Sequence, residues 1–123
     1  MSTILLSIKP EYVNKIVSGE KIYEYRRVMP KNKVDSILIY SSWPCCKIIG
    51  EVEVKEVITY SVLDMWKKTK HNSGISYYKY RDYFKGKNRA SAFVLGNITL
   101  YDKKLDLNEC GFKKPPQSFI YVK

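Results

Sequence analysis

Lys21, Glu24 and Arg26 lie close together in the chain, just after Gly19. A lysine, a carboxylate and an arginine at this spacing support two kinds of chemistry. On an open surface they are ion pairs worth about 0–1 kcal/mol each. In a cleft, Glu24 would hold the two cations in place to receive an anionic or carbonyl-bearing ligand. Arginine suits a forked contact to phosphate or a base edge, and lysine serves as a point charge. Both alternatives stand on the residues alone. A second group of chemically capable residues lies further along, in KKTKHNSGISYYKYRDYFKGKNR, residues 67–89. Its cations are Lys67, Lys68, Lys70, Lys79, Arg81, Lys85, Lys87 and Arg89, and its one acid is Asp82. Interleaved with them are Tyr77, Tyr78, Tyr80, Tyr83 and Phe84. Cations neutralise phosphates, and aromatic faces stack on unpaired bases. A solvated helix whose tyrosines pack on a core would show the same pattern, and tyrosines three and four apart do need a core face.

The elements that must position these groups follow from periodicity. Thr3–Ile8 is apolar and β-prone, and predicts a strand. Lys9-Pro10-Glu11 opens a helix, with proline in the first turn and glutamate at the positive end. Tyr12, Val13, Ile16 and Val17 continue it, and Gly19 stops it. Tyr23–Val28 predicts a short strand, Ser36–Tyr40 a buried one, and Lys47–Tyr60 one or two more with Gly50 as a bulge. Ser61 with Asp64 predicts a capped helix, and Ser76 a second one ending near Gly86. Ala90–Tyr101 predicts a strand interrupted near Gly96, residues 102–117 an irregular basic stretch, and Ser118–Val122 a final strand. In a strand, Glu24 and Arg26 share a face while Lys21 falls on the other parity, unless the strand starts after it. Helices do not alternate with every strand, so a doubly wound parallel sheet is not expected.

Composition removes several classes. The chain has 123 residues, 45% hydrophobic and 28% charged, which suits a single domain over 1–123 and is too apolar for disorder. No apolar run is long enough for a transmembrane helix, and the start lacks the features of a signal peptide. Cys45, Cys46 and Cys110 form neither a disulfide framework nor a zinc spacing, and His71 is the only histidine. No metal and no cofactor is expected, the expected compartment is a reducing cytoplasm, and a monomer is the default. The net charge of +10 points to acidic partners. About a fifth of the chain, residues 67–89, holds +7 of it.

The stretch Leu5–Arg27 carries a resemblance. Gly19, Lys21, Glu24 and Arg26 form a G-x-K-x-x-E-x-R pattern after an amphipathic helix, and this resembles the signature of the ASCH domain. Ile39-Tyr40-Ser41-Ser42 with Pro44 resembles the family's next core strand and loop, and Ile48–Val52 the strand after it. Trp66, Gly74-Ile75, Tyr83–Gly86 and Ala92 resemble its later helical insert and strand. The resemblance implies an α+β fold: a small, PUA-like, mixed and mostly antiparallel β-barrel with flanking helices. It implies a cleft lined by Lys21, Glu24 and Arg26, to which Ser41, Ser42 and Tyr83 are candidate additions. It implies binding of RNA or a modified nucleotide, with the basic residues of 67–89 as a rim. Some members of the family are enzymes, a ribonuclease and an N4-acetylcytidine amidohydrolase. The hydrolase alternative would use Lys21 as a polarising group and Glu24 as general acid or base. In the amidohydrolase branch a threonine nucleophile stands at the place of Glu24, so this chain departs from that mechanism. A third alternative is a transcription-related regulatory protein docking an acidic partner.

Overall fold

The computed structural model describes residues 2–122. Strand β1 spans Thr3–Ile8. Helix α1 spans Pro10–Ser18, with Pro10 in its first turn, Val13 and Ile16 turned to the core, and Gly19 closing it in the left-handed region at φ 86°. Strand β2 is Tyr23–Arg26, β3 is Ser36–Ser41 and β4 is Lys47–Ser61. Ser61 caps helix α2, Val62–Thr69, by accepting from the Asp64 amide at 3.1 Å. A 3-10 turn at Lys70–Asn72 leads to helix α3, Tyr77–Tyr83, where Ser76 accepts from the Lys79 amide at 3.2 Å. Strand β5 runs Arg89–Leu105 and β6 runs Phe119–Val122.

The strands form one sheet in the order β2-β5-β4-β3-β1-β6. Every pairing is antiparallel except β1 with β3. The fold is thus α+β with a mixed, mostly antiparallel sheet, as expected. The expected barrel is corrected in one respect: the sheet is open, with β2 and β6 at its two ends. The reason lies at β1. Strand β6 pairs with Thr3–Leu6 of β1 and occupies that edge. Past Leu6 the edge is free of β6, and there the Arg26 side chain of β2 donates to the Ser7 carbonyl at 2.8 Å. A side chain, not a strand ladder, crosses the gap.

Lys47–Ser61 is one strand, and its register with β5 shifts between Ile48 and Gly50 and again around Val54. A methyl group at Gly50 would run into the Thr99 carbonyl oxygen and lie 3.1 Å from the Leu100 α-carbon, so glycine here serves close approach. Two boundaries differ from expectation. Strand β2 ends at Arg26, not Val28. Strand β5 continues through the first residues of the supposedly irregular 102–117 stretch, because Leu105 still pairs with Ile48 and packs beside Leu5 and Tyr40.

Three buried clusters hold the sheet. Ile4, Leu6 and Ile8 of β1 pack with Val13 and Ile16 of α1 and with Phe93 of β5. Leu5, on the other face of β1, packs with Tyr40 and Ile48 under Leu107, Phe112 and Ile120. Burial on both faces explains why TILLSI reads as a nearly continuous apolar run. The third cluster, Tyr25, Met65, Tyr80, Phe84, Ala90 and Ala92, seats α2 and α3 on β2 and β5. The Tyr25 and Tyr80 rings meet edge-on at 5.0 Å, and the Tyr80 hydroxyl donates to the Val62 carbonyl at 2.6 Å. Gly50→Ala is expected to lower unfolding free energy by about 3 kcal/mol in urea titrations, because backbone must move to admit the methyl group.

Candidate functional site

The gap between β2 and the free end of β1 opens into a cleft of about 430 Å³. Ser7, Ile8 and Lys9 line it from β1 and the entry to α1, and Tyr12 from α1 itself. Lys21, Glu24, Tyr25 and Arg26 line it from β2 and the turn before it, and Ile75, Lys79, Asp82 and Tyr83 from α3 and the turn before it. Lys21, Glu24 and Arg26 therefore meet in one place. Their parity poses no obstacle, because β2 begins only at Tyr23. Lys21 lies in the preceding turn, where its amide donates to the Lys15 carbonyl at 3.0 Å and the Ile22 amide to the Asn72 carbonyl at 3.0 Å.

Lys21 is 3% exposed. Its ammonium donates to the Ser73 carbonyl at 2.6 Å and sits 5.4 Å from the Tyr12 ring centre and 5.0 Å from that of Tyr25. Tyr25 thus flanks a buried cation that its own electron-rich face helps to hold. Burial pushes the Lys21 pKa down, the Glu24 charge pulls it back up, and Lys15 and Arg26 lower it further. Gly74 makes room for this arrangement: a methyl group there would lie 2.6 Å from the Lys21 β-carbon, and Gly74 has φ +64°. Lys15 fastens the same turn by donating to the Gly74 carbonyl at 3.1 Å.

Glu24 and Arg26 share the strand face that points into the cleft. Arg26 donates to one Glu24 carboxylate oxygen, Oε2, from Nε at 3.1 Å and from Nη2 at 2.9 Å. Among the described residues the other oxygen, Oε1, accepts no hydrogen bond, yet no buried side-chain oxygen or nitrogen lacks a partner. Oε1 therefore opens onto the cleft as a free acceptor. Arg26 Nη1, which Glu24 and Ser7 leave unused, has no hydrogen bond to the described residues and is a free donor. The cleft holds four cationic side chains, Lys9, Lys21, Arg26 and Lys79, against Glu24 and Asp82. Such a mixed lining can pair with both donors and acceptors of a polar ligand.

Tyr83 lines the cleft as expected; its hydroxyl accepts from the Arg27 amide at 3.2 Å, and the Arg27 guanidinium lies 4.7 Å from its ring centre. Ser41 and Ser42 do not line it, which corrects that expectation. Ser41 is buried at the end of β3, paired with Ile8 and Lys47, and the Ser42 amide is spent on the Ile8 carbonyl at 3.0 Å. Of the eight basic residues proposed as a rim, only Lys79 lines the cleft. Lys67, Lys68, Lys70, Arg81, Lys85 and Lys87 are exposed on α2, α3 and the turns beside them, and Arg89 is exposed at the start of β5. Trp66 packs on Tyr80 at 4.9 Å, a core position, whereas Trp43 is exposed at a loop tip outside the cleft. Sequence reasoning missed Ser7, Tyr12, Tyr25 and Asp82. Asp82 carried a usable signal as the lone acid of a basic segment; Tyr12 and Tyr25 read only as periodic apolar positions.

The sequence pattern of the ASCH domain matches residues 6–100, and the chain belongs to that family. It is 34% identical to an ASCH domain-containing ribonuclease of Zymomonas mobilis over 74% of this chain and 62% of that protein. The crystal structure of an ASCH protein from Zymomonas mobilis superposes with a TM-score of 0.90 at 28% identity, covering 98% of this chain and 87% of that one. A large ribosomal subunit protein uL22 of Ureaplasma parvum is 31% identical over 98% of this chain. This chain spans only 39% of the length of that ribosomal protein.

The tyrosine behind Lys21 sets an alkaline limit on stability. Burial raises the Tyr25 pKa from 10.0 to about 12, opposed by hydrogen bonds to the Thr69 and Ser73 hydroxyls. Between those values the unfolded chain loses the Tyr25 proton while the folded one keeps it. The folded state then binds more protons, so stability falls as pH rises through this window. Tyr25→Phe should therefore show a shallower alkaline decline in urea midpoint than the wild type. At neutral pH it should be less stable by about 1 kcal/mol, through loss of the 2.6 Å hydrogen bond to Thr69.

Proposed function

We propose that this chain is an RNA-binding ASCH domain whose cleft admits a base or modified nucleotide of a single strand. The convergence of Lys21, Glu24 and Arg26 in one cleft, adjoined by the cation-rich segment 67–89, is the observation that carries the reading. Glu24 Oε1 and Asp82 would accept from base donors, and the free Arg26 edge would donate to a base carbonyl or a phosphate. Lys79 and the exposed cations of residues 67–89 would attract the flanking phosphates. The ribonuclease named among the similar proteins supports RNA as the ligand class. Binding to fluorescently labelled single-stranded RNA should weaken linearly in log affinity against log salt. Arg26→Ala should weaken it about tenfold, and Lys79→Ala should reduce the salt slope by about 1. Affinity independent of salt, or no affinity for RNA, would overturn the reading.

A second reading, RNA cleavage in the same cleft, is favoured by the burial of Lys21 next to a carboxylate with a free oxygen. Glu24 Oε1 would take the proton from a ribose 2′-hydroxyl, whose oxygen would attack the adjacent phosphorus. The 5′-oxygen would leave and take a proton from solvent, while Lys21 and Arg26 offset charge on the phosphate oxygens. Lys21→Met should then lose turnover of a labelled RNA by more than about 100-fold while changing its affinity only a few-fold. Unchanged cleavage by that variant would sink this version, and binding without cleavage by the wild type would leave the first reading alone.

A further inference from the structure

Helix α3 divides its residues among three surroundings. Tyr80 is 1% exposed and fixes the core side. Lys79, Asp82 and Tyr83 line the cleft. Tyr77, Tyr78 and Arg81 occupy the remaining arc of the helix, facing outward. The Arg81 guanidinium lies 5.5 Å from the Tyr78 ring centre and 5.8 Å from that of Tyr77. Tyr77 is further engaged by Trp66, at 5.3 Å. Tyr78 has no aromatic neighbour among the described residues and is 75% exposed. It is a ring held on one face by a cation and open on the other.

Its position borders the cleft. Tyr78 precedes Lys79 in the chain and stands one turn before Asp82, so Tyr78 and Asp82 are neighbours on the helix surface, about 5–6 Å apart at their β-carbons. We propose that Tyr78, oriented by Arg81, is a stacking subsite outside the cleft for the base of the adjoining nucleotide. This inference rests on the RNA reading of the cleft. A strand leaving the cleft would pass Lys79, whose ammonium also lies 3.7 Å from Glu11, and its next phosphate would meet the Arg81 guanidinium on the outward side of the helix. The next base would then reach the open face of Tyr78. Charge complementarity selects a polyanion as the occupant: Asp82 is the only acid among the eight cations of residues 67–89, and Glu11 offsets only Lys79. The open ring selects one with unpaired bases, because every base offers a face to stack on. Such a subsite adds affinity without adding sequence preference.

Two labelled ligands test it: a single-stranded RNA octanucleotide, which would span both subsites, and a nucleoside monophosphate, which would fill only the cleft. Tyr78→Ala should weaken octanucleotide binding about tenfold and leave the monophosphate unchanged. Tyr78→Phe should stay within about twofold of wild type, since the ring and not the hydroxyl stacks. The salt slope should not move in either variant, because no charge is lost. The side chain is exposed, so the thermal midpoint of Tyr78→Ala should match the wild type. Wild-type octanucleotide affinity in Tyr78→Ala, or an equal loss for both ligands, would overturn the subsite. If Arg26→Ala weakens binding and Tyr78→Ala does not, the subsite falls and the cleft reading stands. A wild type that binds neither ligand overturns both.

Discussion

The burial of the Lys21 ammonium is the constraint on which the site depends. Removing a charge from water costs several kcal/mol unless partners replace the lost solvation. Here the partners are the Ser73 carbonyl, the faces of Tyr12 and Tyr25, and the field of Glu24. They come from three separate parts of the chain: Ser73 from the turn after α2, Tyr12 from α1, and Glu24 and Tyr25 from β2. Satisfying one ammonium therefore fixes α1, the 70–75 turn and β2 relative to one another. Gly74 is part of the same solution, because any larger residue would displace the lysine stem. Lys15 strengthens it by holding the next carbonyl of the same turn.

The cleft exists because the sheet does not close. Strand β6 takes the first four residues of the β1 edge and leaves Ser7 and Ile8 without a strand partner on that side. Strand β2 approaches this vacancy but contributes a side chain in place of a ladder. Arg26 does two things there: it satisfies the Ser7 carbonyl and it pins Glu24 through a single oxygen. The consequence is an acceptor, Glu24 Oε1, and a donor, Arg26 Nη1, both left open in the cleft lining.

Charge is also partitioned by the fold. Both carboxylates of the site, Glu24 and Asp82, face the cleft, while seven of the eight cations in residues 67–89 lie outside it. Under the proposed function this separates two tasks. Outer cations attract a polyanion over a distance comparable to the Debye length, and the mixed inner lining discriminates among ligands by hydrogen bonding. The expected rim is therefore an adjoining surface, which meets the cleft at Lys79.

Much of this was legible in the chain. Thr3–Ile8, the Pro10 start and Gly19 stop of α1, and the Ser61 and Ser76 caps are local signals, set by side-chain shape and by hydrogen bonds within one turn. The grouping of Lys21, Glu24 and Arg26 was legible because they are near neighbours in sequence, and the G-x-K-x-x-E-x-R pattern tied them to a family. Three things were not legible. The continuation of β5 to Leu105 depends on a ladder to Ile48, more than fifty residues away. The misplacement of Ser41 and Ser42 reflects pairing of β3 with β1, which withdraws them from the cleft. Tyr12 and Tyr25 look like ordinary apolar-face residues until Lys21 is seen between them. The sequence alone thus determined the elements, the charge balance and the family, since these rest on neighbouring residues and their types. Only the tertiary structure decided that the sheet stays open, that a lysine is buried at the gap and which side chains face it. Those outcomes turn on contacts between segments distant in the chain, where strand edges compete for partners.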